Sequence, residues 1–407
     1  MKKSVVILLL VILAFTFGIA KEELVINSYN SDPASKDGFQ KLVDMFMEDH
    51  PGIDVKVNVV AHEDYKILLR TWLNSDNAPD VITWMGGERM RYFARKGLLY
   101  PVGKAYEPAS FEDSVPAAFK SACSYNGEIY MVPRDYEWWA VYYRKSVFDE
   151  YNLTEPINWY QFLKVCETLD QNGITPITIG TKHLWPVAGW FSFFLMRTNG
   201  IEYYNDLCDG KIPYTDEGVI KAFDYWRALL NKGYFVKNHS SYAWRDAANL
   251  MYQGKAGMML MGSFISDSIP DDLSDDIGFF RFPVIDANIG IYGQVPVNGF
   301  LIPEKASNKE NALLFLNFMA SKEAQEIVAV EQGYPVVHKD FDPKSAYLKQ
   351  GIDMIARSDG VSHFYDIDTN PEMAEIGMNG FVEYMVFPDR VETILKNIDR
   401  HRQRIFE

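Results

Sequence analysis

Residues 130–145, YMVPRDYEWWAVYYRK, place ionisable side chains among aromatic rings. In an extended segment alternate residues share a face, so Asp135 and Glu137 lie on one face while Tyr136 lies on the other. Carboxylates make charge-assisted hydrogen bonds, and flat rings offer large rigid contact surfaces. The segment therefore predicts a surface that combines hydrogen-bonding acids with flat aromatic faces.

The same two carboxylates also permit catalysis. A glycosidase needs two carboxyl groups about 5–5.5 Å apart for retention of configuration, or about 6.5–9.5 Å apart for inversion. Asp135 and Glu137 on one strand face could meet that spacing, so the sequence leaves a secreted glycosidase open as an alternative. The sequence contains no G-x-S-x-G elbow, no H-E-x-x-H motif and no P-loop.

A second group of polar and aromatic residues follows a predicted strand in DVITWMGGERM. Trp84 stands at the end of that strand, and Glu88 and Arg89 begin a predicted helix. Ligands of open α/β sheets bind beyond the carboxyl ends of strands, which favours a binding role for this group. Core packing is the alternative for Trp84, and complementing the helix dipole is the alternative for Glu88.

Strand-like and helix-like segments alternate from residue 23 onward. LVINSY, IDVKVNVVA and PDVITW have strand patterns, and residues 37–49, 65–73 and 88–96 have apolar residues at helical spacing. This alternation predicts a mainly parallel sheet with helices on both faces. Longer helices follow Pro133, with predicted starts at Asn158, Thr215 and Asn308 and a helical tail over residues 371–404.

Length and composition narrow the class of protein. A single core stops growing at about 250–300 residues, and the chain has 407, so two lobes are expected. With a formal net charge of −15 and no basic run, the chain is not expected to bind nucleic acid or an anionic membrane. Cys123, Cys166 and Cys208 have no metal-ligand spacing, so we expect free, packed thiols and neither a metal nor another cofactor.

The N-terminus has the pattern of an export signal. Lys2 and Lys3 precede an apolar run over residues 5–17, which ends in small residues at 18–20. This pattern predicts a cleavable secretory signal peptide over residues 1–20. The run is shorter than the about 20 apolar residues of a membrane-spanning helix. No Cys stands near the cleavage site to carry a lipid, so the mature protein is predicted to be periplasmic or extracytoplasmic without a lipid anchor.

Five stretches, taken in order, match the pattern of a known family: FMEDHPGIDVKV, NAPDVITWMGGERMRYFARKGLLYPV, YNGEIYMVPRDYEWWAVYYRKSVFDEYNL, MYQGKAGMMLMGSF and GFLIPEKASNKENALLFLNFMASKEAQEIV. Through them the chain resembles the extracellular solute-binding proteins, family 1, of carbohydrate ABC importers, the maltose-binding-protein-like group. Two further stretches, GITPITIGTKHLWPVAGWF and DIDTNPEMAEIGMNGFVEYMV, resemble the branch that handles α-glucosides and related disaccharides.

The resemblance implies an α/β fold of the type II periplasmic-binding-protein class. Each of two lobes would be a mainly parallel sheet flanked by helices, with a ligand cleft between the lobes. Lobe 1 would comprise residues 21–135 and 299–336, and lobe 2 residues 136–298 and 337–407. The chain would cross between the lobes near Asp135, near residues 297–300 and near residues 334–336.

The resemblance also implies which residues contact the ligand. In the family, an acidic residue followed by a basic residue contacts the sugar, and this pair falls on Glu88 and Arg89. This sequence has Glu where the family pattern has Asp, and the loop before the pair is one residue longer. A family carboxylate at the lobe crossing falls on Glu137, and Phe264 takes the place of a stacking Trp. His183 is also a candidate for ligand contact, and the alternative for it is a structural role. The predicted ligand-binding residues are Asn30, Trp84, Glu88, Arg89, Asp135, Tyr136, Glu137, His183, Trp185, Trp244, Phe264 and Asp368.

As a function, the resemblance implies a substrate-binding protein that is not an enzyme. It would bind a disaccharide or short oligosaccharide, with an α-glucoside favoured, and deliver it to membrane ABC permease subunits. The expected partners are a small-molecule carbohydrate and the permease, and a monomer is expected. A periplasmic sugar receptor for a membrane sensor has the same fold and stays an alternative.

Overall fold

A computed structural model describes residues 21–107, 111–338 and 340–407. The predicted signal peptide, residues 1–20, lies outside the described residues. In the described ranges, no helix combines the length and the apolar character that crossing a membrane requires.

The strands, in chain order, are β1 Glu22–Ser28, β2 Ile53–Val59, β3 Val81–Met85, β4 Leu99–Tyr100, β5 Ser124–Tyr125, β6 Glu128–Ile129, β7 Val132–Tyr136, β8 Trp139–Arg144, β9 Thr175–Ile177, β10 Ala256–Gly262, β11 Ile277–Phe280, β12 Tyr292–Gln294, β13 Val297–Pro303 and β14 Gly360–Ser362. Most of them are short, and β3, β7, β10 and β13 have buried residues at every position. Such strands belong to sheets that are covered on both faces.

The α-helices are α1 Pro33–Asp49, α2 His62–Asn74, α3 Glu88–Arg95, α4 Phe111–Ser114, α5 Ala117–Cys123, α6 Lys145–Glu150, α7 Trp159–Gln171, α8 Pro186–Asn199, α9 Ile201–Cys208, α10 Glu217–Asn231, α11 Trp244–Tyr252, α12 Lys309–Ala320, α13 Lys322–Gln332, α14 Ala346–Ala356, α15 Tyr365–Asp368, α16 Pro371–Val386 and α17 Val391–Phe406. Short 3₁₀ turns connect several of them at Gly103–Tyr106, His239–Ser241, Ser263–Ser268, Asp271–Leu273 and Pro388–Arg390.

Local capping explains several helix starts. Asn158 caps α7, because its side chain accepts the backbone N–H of Gln161 at 3.0 Å. Asn308 caps α12 in the same way through Asn311. The helix predicted to start at Thr215 begins two residues later, because Asp216 is the residue whose side chain accepts a helix N–H.

Two sheets form the frame of the molecule, and both are mixed. In the first, with strand order β2-β1-β3-β13-β4, β1 runs parallel to β2 and β3, while β13 runs antiparallel to β3, β4 and β7. In the second, with order β11-β8-β10-β9, only β9 and β10 are parallel. The α/β architecture is as expected, but the mainly parallel strand direction needs correction. Parallel neighbours arise where a helix crosses over between them, whereas β8 and β13 enter their sheets directly from connecting segments.

Each sheet has its own hydrophobic core. Around the first sheet, rings such as Phe39, Phe300 and Phe315 pack together. Around the second, Trp190 and Phe282 belong to a larger cluster that also takes in the C-terminal helices. Large rings therefore fill two separate interiors, as the length of the chain predicted.

Three connecting segments lie side by side between the two cores. Tyr136 pairs with Val297 and donates its backbone N–H to Pro335 at 3.0 Å, and Asp135 forms a bridge with Val336. These are the three segments predicted as crossings. Tyr136 packs in the first core, and Trp138, two residues later, packs in the second.

All three cysteines are buried and free. Burial raises the pKa of the Cys166 thiol well above its ordinary value, so this side chain behaves as a small apolar group.

Trp138 is expected to be a main support of the second core. It is fully buried, its ring lies 5.1 Å from that of Tyr347, and a Cβ at Gly351 would come within 2.4 Å of it. Trp138→Ala should therefore lower the free energy of unfolding by about 3–5 kcal/mol, measured by denaturant unfolding. Tyr160→Ala, at a ring that is 69% exposed, is the control and should change it by no more than about 0.5 kcal/mol. Equal effects would contradict this assignment.

Candidate functional site

A cavity of about 490 Å³ lies between the two cores, within the usual range of small-molecule sites. Its floor is built from the three connecting segments, which contribute Arg134, Asp135, Glu137, Asn298 and Tyr334. Its walls come from α1 and α2 on one side, and from α11, α15 and the residues that precede α8 on the other. The pairing of β7 with β13 is one of the contacts that bring these elements together.

Asn298 organises the floor. Its Nδ2 donates to Asp135 Oδ1 at 2.8 Å and to Glu137 Oε1 at 3.0 Å, and its Oδ1 accepts from the Tyr29 hydroxyl at 3.0 Å. The two carboxyl oxygens can only accept from the amide nitrogen, and the hydroxyl faces the amide oxygen, so these partners fix the orientation of the side chain. Asp135 and Glu137 therefore converge on one face of the extended segment.

A buried ion pair supports the floor from below. Arg134 and Asp135 are 3% and 1% exposed and form a charge-assisted hydrogen bond. An unpaired charge at this depth would be strongly destabilising. Asp135 is thus neutralised by Arg134, whereas its neighbour Glu137 has no cation in direct contact among the described residues.

The electrostatic state of Glu137 follows from this arrangement. Burial raises the pKa of Glu137 to about 8; the hydrogen bond from Asn298 opposes this shift, and the charge of Asp135 adds to it. Near the floor, burial also raises the pKa of Asp267 to about 6, although the Tyr334 hydroxyl donates a hydrogen bond to it. At neutral pH the Glu137 carboxyl is therefore mostly protonated and has a proton to donate.

Aromatic rings form one wall. Trp139 stacks on Phe364 with ring centroids 4.3 Å apart and an interplanar angle of 19°. Trp185 and Phe264 meet Trp139 edge to face, and Trp244 meets Phe264 in the same way. Such a cluster offers rigid apolar surfaces with polar N–H groups at their edges.

A glycine sets the position of the Trp139 ring. Gly189 lies inside α8, where a Cβ would stand 2.9 Å from Trp139 Cζ3 and 3.4 Å from Phe364 Cε2. The ring can lie against the helix backbone only because this position has no side chain.

Contacts across the cavity join the elements of the two cores. Trp185 Nε1 donates to Glu63 Oε1 at 3.2 Å, and Arg245 forms an ion pair with Asp32. The pKa of Glu63 falls to about 2: burial acts against this shift, but the hydrogen bond with His62 and the charge of Lys66 outweigh it. Glu63 is therefore an ionised acceptor that holds the indole of Trp185 in place.

Two uncharged donors at the cavity lack a partner. Asn30 Nδ2 and Trp139 Nε1 are both buried and have no hydrogen bond within the described part of the chain. A buried donor without a partner is costly, so each such atom at a cavity marks a place for a ligand acceptor.

Most of the predicted ligand-binding residues line this cavity, namely Asn30, Asp135, Glu137, His183, Trp185, Trp244 and Phe264. They come from segments up to 234 positions apart in sequence numbering, between Asn30 and Phe264. The convergence places the acids on the floor and the rings on one wall. Asp246 accepts the backbone N–H of Ala243 at 3.1 Å and so caps the start of α11.

The structure places the other predicted residues elsewhere. Trp84 is 2% exposed and stacks on Tyr65 in the first core. Tyr136 lies on the opposite face of its strand from the acids and stacks on Phe119. Arg89 lies behind the wall, where its Nε donates to the backbone carbonyl of Asp366 at 2.6 Å.

Glu88 and Asp368 line a separate polar cavity of about 710 Å³. Glu88 forms an ion pair with Arg95, seven positions along α3. Asp368 accepts a hydrogen bond from Ser362 at 3.3 Å.

Several lining residues had no distinctive pattern in the sequence. Glu63 and Arg245 look like ordinary surface residues of amphipathic helices, and Phe364 lies in an irregular segment. Asn298 stands in a predicted crossing segment, which was the one available indication. Among the described residues, no three His, Cys, Asp or Glu side chains converge as metal ligands would.

Comparison with known proteins gives a consistent picture. The profile of the family described as bacterial extracellular solute-binding protein matches residues 30–326. An uncharacterised ABC transporter extracellular-binding protein of Pyrococcus horikoshii is 24% identical over 87% of this chain and 83% of its own length. The multiple sugar-binding protein of Streptococcus mutans is 24% identical over 79% of this chain and 77% of its own.

Among solved structures, the bacterial solute receptor AcbH is similar to this chain with a TM-score of 0.90 and 27% identity. The match covers 95% of this chain and all of the receptor, which has an exclusive preference for β-D-galactopyranose. The two-lobe solute-receptor fold predicted from the sequence is thereby confirmed. Because the family profile covers most of the chain, this protein belongs to the bacterial extracellular solute-binding protein family.

Proposed function

We propose that this protein is the substrate-binding component of a carbohydrate ABC importer. It would hold a sugar in the cavity between the two cores and present it to membrane permease subunits. The observation that carries the proposal is the pairing of an aromatic wall with a polar floor ordered by Asn298, inside one cavity of small-molecule size. Family membership supports a solute-binding role rather than catalysis.

The floor supplies both kinds of hydrogen-bonding group that a sugar hydroxyl needs. Glu137 uses Oε1 to accept from Asn298, which leaves its second oxygen for the ligand. Asn30 Nδ2 and Trp139 Nε1 supply donors that have no other partner among the described residues. A sugar lacking a matched hydroxyl would leave one of these groups buried and unpaired, at about 1–3 kcal/mol.

The wall supplies the apolar part of recognition. Trp185 is held by Glu63, and Trp139 is held between Phe364 and α8. Rings fixed in this way lose little side-chain entropy on binding, so their contact with the C–H face of a sugar contributes efficiently.

The number of sugar rings in the ligand is a separate question from its chemical class. The sequence favours a disaccharide or short oligosaccharide of the α-glucoside type, whereas the receptor AcbH prefers a monosaccharide, β-D-galactopyranose. Contacts across the cavity by Glu63 and Asp32 limit its extent. We therefore propose a ligand of one or two rings.

The setting of this function is also a proposal. A protein of this family would act outside the cytoplasm and would meet the permease as a monomer. We propose that its two lobes have the boundaries expected from the sequence. A receptor that signals to a membrane sensor would use the same cavity.

The first prediction concerns binding. Isothermal titration across a panel of mono-, di- and oligosaccharides that includes galactose, maltose and other α-glucosides should find a sugar that binds. Failure of every sugar in the panel would contradict the proposal.

The second prediction assigns the contacts. Glu137→Ala and Trp185→Ala should each weaken binding of that sugar by about tenfold or more without unfolding the protein, because each removes a group aimed into the cavity. Glu128→Ala, at an exposed carboxylate far from the cavity, is the control. Unchanged affinity in both cavity variants would show that the ligand binds elsewhere.

The third prediction uses the buried acid. The folded state holds the Glu137 proton between the ordinary pKa of 4.5 and about 8, while the unfolded state has lost it, so wild-type stability falls as pH rises through this window. Glu137→Gln removes the titration. Its free energy of unfolding should rise relative to wild type by up to about 1.4 kcal/mol per pH unit. Denaturant unfolding at pH 5 and pH 8 measures the change; a constant difference would contradict it.

The fourth prediction addresses the glycosidase alternative. Asp135 and Glu137 both accept a hydrogen bond from Asn298 Nδ2. Asp135 is paired with Arg134, whereas Glu137 has a raised pKa. A glycosidase needs this contrast between an ionised carboxylate and a protonated acid. Prolonged incubation with the tightest-binding sugar, followed by chromatography, should nevertheless give no hydrolysis products. Product formation that Glu137→Gln abolishes would identify an enzyme instead.

A further inference from the structure

Among the described residues, the lysine and arginine side chains that line the cavity are each paired with a neighbouring acid. Arg134, on the floor, is paired with Asp135 at almost complete burial. Arg245, at the rim, is paired with Asp32 and also lies 4.4 Å above the ring of Trp244. Neither guanidinium can turn toward a ligand without leaving a carboxylate behind.

The remaining cations follow the same rule. Lys66 Nζ stands 3.5 Å from Glu63 Oε2. Arg89, behind the wall, is bound to the backbone carbonyl of Asp366 and stands 3.5 Å from its carboxylate. In the described ranges of the chain, the cavity thus has no lysine or arginine without an acidic partner.

Acids, in contrast, are in excess. Among the described residues that line the cavity, Asp64 and Glu137 have no lysine or arginine partner. Asp64 is exposed, and Glu137 is buried on the floor. The wall is therefore net negative whether Glu137 is protonated or ionised.

The buried donors of the cavity that lack a partner are uncharged. Asn30 Nδ2 and Trp139 Nε1 are neutral donors, suited to hydroxyl and ring oxygens. A ligand carboxylate entering here would lose its hydration and would meet no lysine or arginine that is free of an acidic partner among the described residues. Such a group is expensive to bury, and nearby acids add repulsion.

Resting on the proposed sugar-binding function, we infer that the cavity takes uncharged sugars and rejects sugar acids, and that the pairing of Arg245 with Asp32 enforces part of this selection. The specificity comes from acids that repel a ligand carboxylate and from cations that are already paired, rather than from additional contacts to the preferred sugar.

The test compares three forms of one sugar. Glucose, galactose and maltose are each presented as the parent sugar, as the 6-carboxylate and as the 6-carboxamide, which has the shape of the acid without its charge. Isothermal titration at constant pH and moderate salt gives the three affinities. For a sugar that binds, the carboxylate should bind at least tenfold more weakly than the carboxamide, a difference of about 1.4 kcal/mol or more.

A variant that releases a cation should reverse part of the selection. Asp32→Asn leaves Arg245 without its carboxylate, and the Asp32 side chain makes no helix-capping hydrogen bond, so α1 should be preserved. The ratio of carboxylate to carboxamide affinity should rise by threefold or more. Asp64→Asn removes the same charge without releasing a cation and is the matched control, with a smaller rise expected. Circular dichroism confirms that both variants fold.

The outcomes separate the inference from the function on which it rests. If no parent sugar of the wider panel binds, the sugar-binding function fails and the inference fails with it. If a parent sugar binds and its carboxylate binds within tenfold of the carboxamide, the function stands and the inference is wrong. Rejection of both derivatives would show selection by shape, and equal effects of the two variants would refute the role of Arg245; either result overturns the inference.

Discussion

Two acids two residues apart, Asp135 and Glu137, are turned into the interior between the cores, and the surrounding structure has to compensate them. Arg134 neutralises Asp135, and the Asn298 amide nitrogen donates to both acids. The Tyr29 hydroxyl donates to the oxygen of the same amide. The contacts of Asn298 join the β7 segment, β13 and the residues that follow β1, whereas the Arg134–Asp135 pair lies within β7. The compensation of buried charge therefore also holds the β7 segment against β13, and a change in the cavity floor affects the contacts between these two connecting segments.

Burial also decides how the abundant rings are divided between core and cavity. Trp138 and Trp139 are neighbours, yet the first fills the second core beside Tyr347, while the second faces the cavity and stacks on Phe364. Alternation along an extended chain forces this division, because successive side chains point to opposite faces. Trp84, near the end of β3, shows the other outcome, because it stacks on Tyr65 of α2 inside the first core.

The sequence alone predicted a good part of this arrangement. Alternation placed Asp135 and Glu137 on one face, and the caps marked helix starts at Asn158 and Asn308. Local patterns could not reveal that Phe364 stacks on Trp139 or that Arg245 pairs with Asp32, since these contacts depend on how distant elements pack. Glu88 shows the same limit: an acid at a helix start is easily recognised, but its pairing with Arg95 and its position outside the cavity are properties of the folded structure.

Gly189 controls more than its own helix. Because the rings of Trp139 and Phe364 lie where a side chain at this position would stand, the depth of the aromatic wall is set by a residue that does not itself line the cavity. A larger residue there would push the ring pair toward the ligand and narrow the space for it. The volume of the cavity thus depends on the helix behind the aromatic wall as well as on the residues that line it.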